Sequence, residues 1–148
     1  MKNNKAFTLV ELIVIIVILG VIMVFALPNI TSTLERNKKD KMIIDAKDMV
    51  EKARNYISAG NSYSNGDKLD LSTIDVRGEI KDSPFGNSYK TSTSYVIRQL
   101  EDNMYKYQVC LTDGVYALKV VGTEGGKQKD ISVLSSDNKY TYIAPGTC

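Results

Sequence analysis

Histidine and tryptophan are absent from this 148-residue chain, and cysteine and proline are scarce, at two and three residues. Without histidine there is no imidazole general acid or base, no Ser-His or Cys-His nucleophile pair, and no His-containing zinc site. Two thiols, Cys110 and Cys148, cannot complete a four-thiolate metal site. Catalysis would have to rest on Asp, Glu, Lys or Tyr, and no convergent set of these stands out. An enzyme is therefore not expected, and neither a cofactor nor a resident metal is implied. A strong excess of one charge is also lacking, since 19 basic and 17 acidic side chains leave a formal +2. No segment is basic enough for composition alone to argue for nucleic acid.

What the chain does contain is one long apolar run near its start. Leu12 to Leu27 holds sixteen residues without a polar side chain, and extended back to Ala6 the stretch reaches 22 residues with one charge, Glu11. At about 1.5 Å per residue that covers roughly 30 Å, the hydrocarbon thickness of a bilayer. Mean hydropathy, at −0.16, is held down by a polar remainder. The expected class is a short anchor joined to a soluble domain.

Three readings of the N-terminus are open on the residues alone. It can be a single-span anchor, or a signal peptide with Lys2 and Lys5 as its charged region and Val24-Phe25-Ala26 as its cleavage site. Neither accounts for Glu11, because a carboxylate in a spanning helix costs about 2.5–3.5 kcal/mol at the bilayer centre and needs a partner. The third reading supplies one: a new α-amine, if the chain is cut close to Glu11.

The residues Lys5-Ala6-Phe7-Thr8-Leu9-Val10-Glu11-Leu12-Ile13 closely resemble the processing signal of type IV pilins and type II secretion pseudopilins. The resemblance covers mainly residues 5–28. It implies that a prepilin peptidase reads Lys5, Ala6 and Phe7, cuts between Ala6 and Phe7, and methylates the new amine of Phe7. Glu11 would then meet the α-amine of a neighbouring subunit and set register and recruitment. The family usually has Gly before the cut, and Ala6 in its place implies slower processing at worst. The resemblance also implies a self-assembling filament, with other pilins, the membrane and an assembly platform and its ATPase as partners. The subunit would sit in the cell membrane with its C-terminal domain outside, and on the cell surface after assembly. A count of basic flanking residues, Lys2 and Lys5 against Arg36, Lys38, Lys39 and Lys41, points the other way; the leader motif outweighs it. The competing classes are a monomeric anchored binding domain and a secreted domain.

Downstream, Ile43, Ala46, Val50, Ala53 and Ile57 recur at helical spacing, with Asp45, Lys47, Asp48, Glu51, Lys52 and Arg54 assigned to other faces. Gly60-Asn61 is a fitting stop. The spacing predicts one helix from Phe7 to Ala59, its first half (7–27) apolar all round and its second half (28–59) striped. Gly20 and Pro28 interrupt it; Pro28 donates no hydrogen bond and crowds the carbonyl of Val24, so this stretch is its soft spot. The cluster Arg36–Lys41 invites a polyanion reading such as DNA, but its charges spread around more than one turn and a solvated or ion-paired surface is favoured.

From Asn61 to about Ser94 the chain reads as a long connection with short elements. It includes the turns at Ser64–Asp67 and Ser83–Asn87, the second faintly resembling a Pro-aromatic-Gly loop of major pseudopilins. Asp67, Asp70, Asp75, Glu79 and Asp82 invite calcium, yet match no EF-hand spacing. The period then changes to two. Strands are expected at Tyr95–Leu100, Met104–Leu111, Val115–Val121, Asp130–Leu134 and Tyr140–Ile143, with a hairpin turn at Thr112-Asp113-Gly114. Tyr105, Tyr107, Val109 and Leu111 share one face, and Cys110 falls on the polar one. Outside the cell an unpaired thiol at a chain end is a liability, so a Cys110–Cys148 disulfide is expected, as pilins often staple this region. The fold class is α+β: a long N-terminal helix whose second half packs on a small antiparallel sheet. The expected organisation is a leader (1–6), an assembly half-helix (7–27), an amphipathic half-helix (28–59) and a globular β domain (60–148).

Overall fold

The computed structural model describes residues 8–120, 123–124, 127–128, 130–135 and 141–148, with 26–29, 123–124, 127–128, 133 and 141–142 described by backbone alone. Helix α1 runs Leu9–Ser58, one residue short of the expected C-terminal end. It is followed by β1 (Lys68–Asp70), a single turn α2 (Leu71–Ile74), β2 (Tyr95–Glu101), β3 (Met104–Thr112) and β4 (Tyr116–Val120). A small hairpin, β5 (Thr123–Glu124) and β6 (Lys127–Gln128), a 310 helix (Ile131–Val133) and β7 (Thr141–Pro145) complete the order. Two compact units result, Met1–Arg36 and Asn37–Cys148.

In the second unit, five strands form an antiparallel sheet in the order β1-β2-β3-β4-β7. Its register sets Val96 opposite Val109, Leu111 opposite Leu118 and Leu118 opposite Ile143. These apolar side chains share one face, because alternate residues of a strand point the same way. The C-terminal half of α1 lies on that face through Met42, Ile43, Ala46, Met49, Val50 and Ala53, all at most 4% exposed. This is the α+β architecture expected of the chain.

Three expectations need correction. Asp45, assigned to a polar face, is 8% exposed: its carboxylate accepts a hydrogen bond from Tyr89 Oη at 2.9 Å and pairs with Lys41. The apolar stripe is correspondingly wider, taking in Met42 and Met49. The segment expected as a strand at Asp130–Leu134 is the 310 helix, because Asp130 caps it by accepting from Ser132 N while its other oxygen accepts from Tyr107 N at 2.5 Å. Cys110 lies on the face away from α1, as expected, yet is only 3% exposed. The C-terminal tail covers it: Gly146 N donates to Val115 O at 2.7 Å, and Cys148 is disulfide-bonded to Cys110 with the Cα atoms 5.8 Å apart.

The long connection is anchored by a repeated tetrapeptide. Gly60-Asn61-Ser62-Tyr63 and Gly86-Asn87-Ser88-Tyr89 each begin with a left-handed glycine, φ 84° and 104°, a backbone state that side chains with a Cβ rarely adopt. Each ends in an anchoring tyrosine. Tyr63 Oη accepts from Arg98 N at 2.7 Å on β2, and Tyr89 Oη donates to Asp45 on α1. Asn61 Nδ2 caps the helix end by donating to Tyr56 O at 2.8 Å.

Candidate functional site

The first described residue, Thr8, and Glu11 form a reciprocal cap on α1. Thr8 N and Thr8 Oγ1 both donate to Glu11 Oε2 at 2.9 Å, and Glu11 N donates to Thr8 Oγ1 at 3.3 Å. This is a capping box: a hydroxyl before the helix and a carboxylate three residues on satisfy amides that have no carbonyl partner within the helix. The carboxylate also faces the positive end of the helix dipole. Reading Glu11 only as a partner for an amine missed this local role, although Thr-x-x-Glu is the pattern that announces it. Lys5, Ala6 and Phe7, the three positions expected to be read for processing, lie outside the described residues.

Beyond the cap, every large apolar side chain from Leu9 to Phe25 is at least 45% exposed, Ile15 the least and Leu9 and Phe25 the most at 73%. From Leu9 to Phe25 the surface has no polar face to turn to water. Among the described residues a Cβ placed on Gly20 would meet nothing within 4 Å beyond its own helix backbone. The side chain of Pro28 lies outside the described residues. Among the described residues no single helix is long and apolar enough to cross a membrane; Leu9–Phe25 and Ile30–Ser58 meet that requirement only together.

Several charged side chains of the folded unit are held in internal pairs. Lys52 pairs with Asp75 at 3.3 Å and with Glu79. The Glu79 bond raises the Lys52 ammonium above its usual range. Burial would push Asp75 up, but the amides of Ile80 and Glu79 together with Lys52 hold it below the usual carboxylate range. Burial is outweighed in the same way at Asp113, where Tyr116 N and Val115 N donate to Oδ1 at 2.7 and 2.8 Å and lower its pKa. Tyr89 is raised by burial and by the neighbouring Asp45 charge.

The acidic loop residues are thus used locally: Asp67 accepts from Ser64 N, and Asp82 from Ser88 Oγ. Among the described residues no three His, Cys, Asp or Glu side chains converge as metal ligands would. In the basic cluster, Lys41 faces Asp45 and Lys38 lies 5.9 Å from the ring of Phe85, which itself stacks on Tyr116 at 4.2 Å.

No curated protein and no solved structure matches the chain significantly. Residues 1–27 match the family described as the prokaryotic N-terminal methylation motif, so the chain carries at its start the signature of type IV pilins and pseudopilins.

Proposed function

We propose that this chain is a structural subunit of a type IV pilus-like filament, serving adhesion or motility, DNA uptake or protein secretion, with no catalysis of its own. One observation carries the reading: the methylation motif runs without interruption into an apolar helix exposed on all sides. In this reading residues 1–6 are a leader, 7–27 the membrane and assembly half of the helix, 28–59 its amphipathic half, and 60–148 the surface domain. Prepilin peptidase cuts between Ala6 and Phe7 and methylates the Phe7 amine.

In the membrane Glu11 then stands in a low-dielectric surround, where an opposite charge attracts far more strongly than in water. Among the described residues both Thr8 bonds fall on Oε2, and in this reading Oε1 meets the α-amine of a neighbouring subunit's Phe7. The subunit keeps its cap while it docks. Gly20 to Pro28 is the compliant stretch, and the Cys110–Cys148 bond closes the surface domain outside the cell.

Mass spectrometry of the protein from its native cell surface tests this. A chain beginning at Phe7 with one added methyl group is expected. A start at Leu27 identifies a secreted domain, and a start at Met1 a plain anchor. The substitution Glu11→Ala is expected to leave insertion intact and abolish filaments by electron microscopy; filaments at the wild-type level defeat the role given to Glu11.

A further inference from the structure

Strand β1 ends its pairing with β2 at Lys68, opposite Ile97, yet β2 runs on to Glu101. Beyond that point a turn, not a strand, finishes the edge of β2. Arg98 N donates to Tyr63 Oη at 2.7 Å, Gly66 N donates to Arg98 O at 3.0 Å, and Leu100 N donates to Asn65 Oδ1 at 2.8 Å. The side-chain amide of Asn65 thus takes the place in the ladder that a backbone carbonyl of a longer β1 would hold. A sheet edge left without such cover is a template for pairing with another chain.

Asn65-Gly66 is also the one Asn-Gly pair in the sequence. Both residues are exposed, and Gly66 stands in left-handed backbone at φ 90°. A glycine has no side chain to hinder attack of its own amide nitrogen on the asparagine before it. In that reaction Gly66 N gives its proton to water and bonds to Asn65 Cγ, the bond from Cγ to Nδ2 breaks, and ammonia leaves. The five-membered imide then takes up one water at either carbonyl carbon. Opening one way gives aspartate. Opening the other way gives isoaspartate, in which the main chain runs through Cγ and the free carboxylate sits directly on Cα.

We propose that Asn65 is a site of spontaneous deamidation and that the edge of β2 sets its rate. Both groups the reaction needs are tied, Gly66 N to Arg98 O and Asn65 Oδ1 to Leu100 N. The reaction therefore waits until the turn detaches from β2, a local opening that costs less than global unfolding. The two products then differ in effect. Aspartate keeps an oxygen for Leu100 N, whereas the shortened carboxylate of isoaspartate is drawn back from it and opens the edge. Asp113-Gly114 has the same form and is held more firmly. Asp113 is 2% exposed, its Oδ1 accepts from Val115 N and Tyr116 N, and Gly114 N donates to Thr112 Oγ1 at 3.0 Å. The inference is independent of the filament reading.

The full-length chain in detergent tests this at mildly alkaline pH, folded and unfolded in guanidinium, with conversion of each asparagine followed by peptide mass spectrometry. Unfolded, Asn65 is expected to convert before every other asparagine; folded, it still converts first, at least tenfold more slowly. Another asparagine converting first in either state overturns the site, and equal rates in both states overturn the gating. Tyr63→Phe removes the acceptor for Arg98 N and leaves Asn65-Gly66 intact. It is expected to raise the folded rate at least threefold, and an unchanged rate overturns the control by the edge. If that variant does not fold, the unaltered chain in guanidinium below its unfolding transition gives the same readout: the rate rises ahead of the loss of helix signal, or the gating falls. Asn65→Asp is expected to keep the urea midpoint of the unaltered chain, while Asn65→Ala, which leaves Leu100 N without its acceptor, lowers it. Equal midpoints for the two variants overturn the edge role of the side chain.

Discussion

Single side chains in this protein work mostly by tying one segment to another. Tyr89 joins the loop before β2 to α1 across 44 residues through its bond to Asp45. Tyr89→Phe removes that donor from Asp45 Oδ2, while Lys41 stays on Oδ1, so a loss of about 1–3 kcal/mol is expected in urea unfolding. Asp75 and Asp113 act alike, each holding two loop amides on a carboxylate whose pKa is depressed on folding. An unfolded aspartate titrates near 3.9. The stabilisation from both is complete above about pH 4 and is lost as pH falls through their lower folded values. Thermal unfolding between pH 7 and pH 2 is expected to show a level midpoint down to about pH 4 and a decline below it. With Asp113→Asn the acid-side decline becomes shallower.

At the scale of elements, the second half of α1 was readable because five apolar residues repeat at 3 and 4. The burial of Asp45 was not, since its partner Tyr89 is remote in sequence and pattern alone assigns a charge to water. The strands β3 and β4 followed from their period of two and the Thr112-Asp113-Gly114 turn, and β2 was expected as a further short strand. The segment after Asp130 misled for a definite reason. Its Ile, Val and Leu suit a strand, but Asp130 bonds both Tyr107 N and Ser132 N and turns the chain into a 310 helix. Asp130→Ala frees both amides and is expected to lower stability by about 1–2 kcal/mol, measured as a shift in urea midpoint with unchanged slope.

Over the whole molecule, two regions meet opposite demands. The first exposes apolar surface on every side and is suited to lipid or to copies of itself; the second buries its apolar face and closes its tail with a disulfide. That bond holds β7 and the last residues against β3 and β4, so its loss loosens the edge of the sheet that carries Ile143. The double change Cys110→Ser, Cys148→Ser is expected to cost about 2–4 kcal/mol. In calorimetry it should lower the midpoint of the unit Asn37–Cys148, and an unchanged midpoint would show that the tail contributes no stability.

Much of this protein is local, and the sequence by itself determined that part. An unbroken apolar run has one physical use, burial away from water, and residues 1–27 carry the N-terminal methylation motif. Periods of 3.6 and 2 then divide the rest into helix and strands, because each buries one face. Only the tertiary structure decided which charges go inside, that the tail covers Cys110, and that Tyr63, Asn65 and Gly66 finish the edge of β2. Those outcomes depend on contacts between residues tens of positions apart. No local pattern encodes them, and their energies appear only when the surfaces meet.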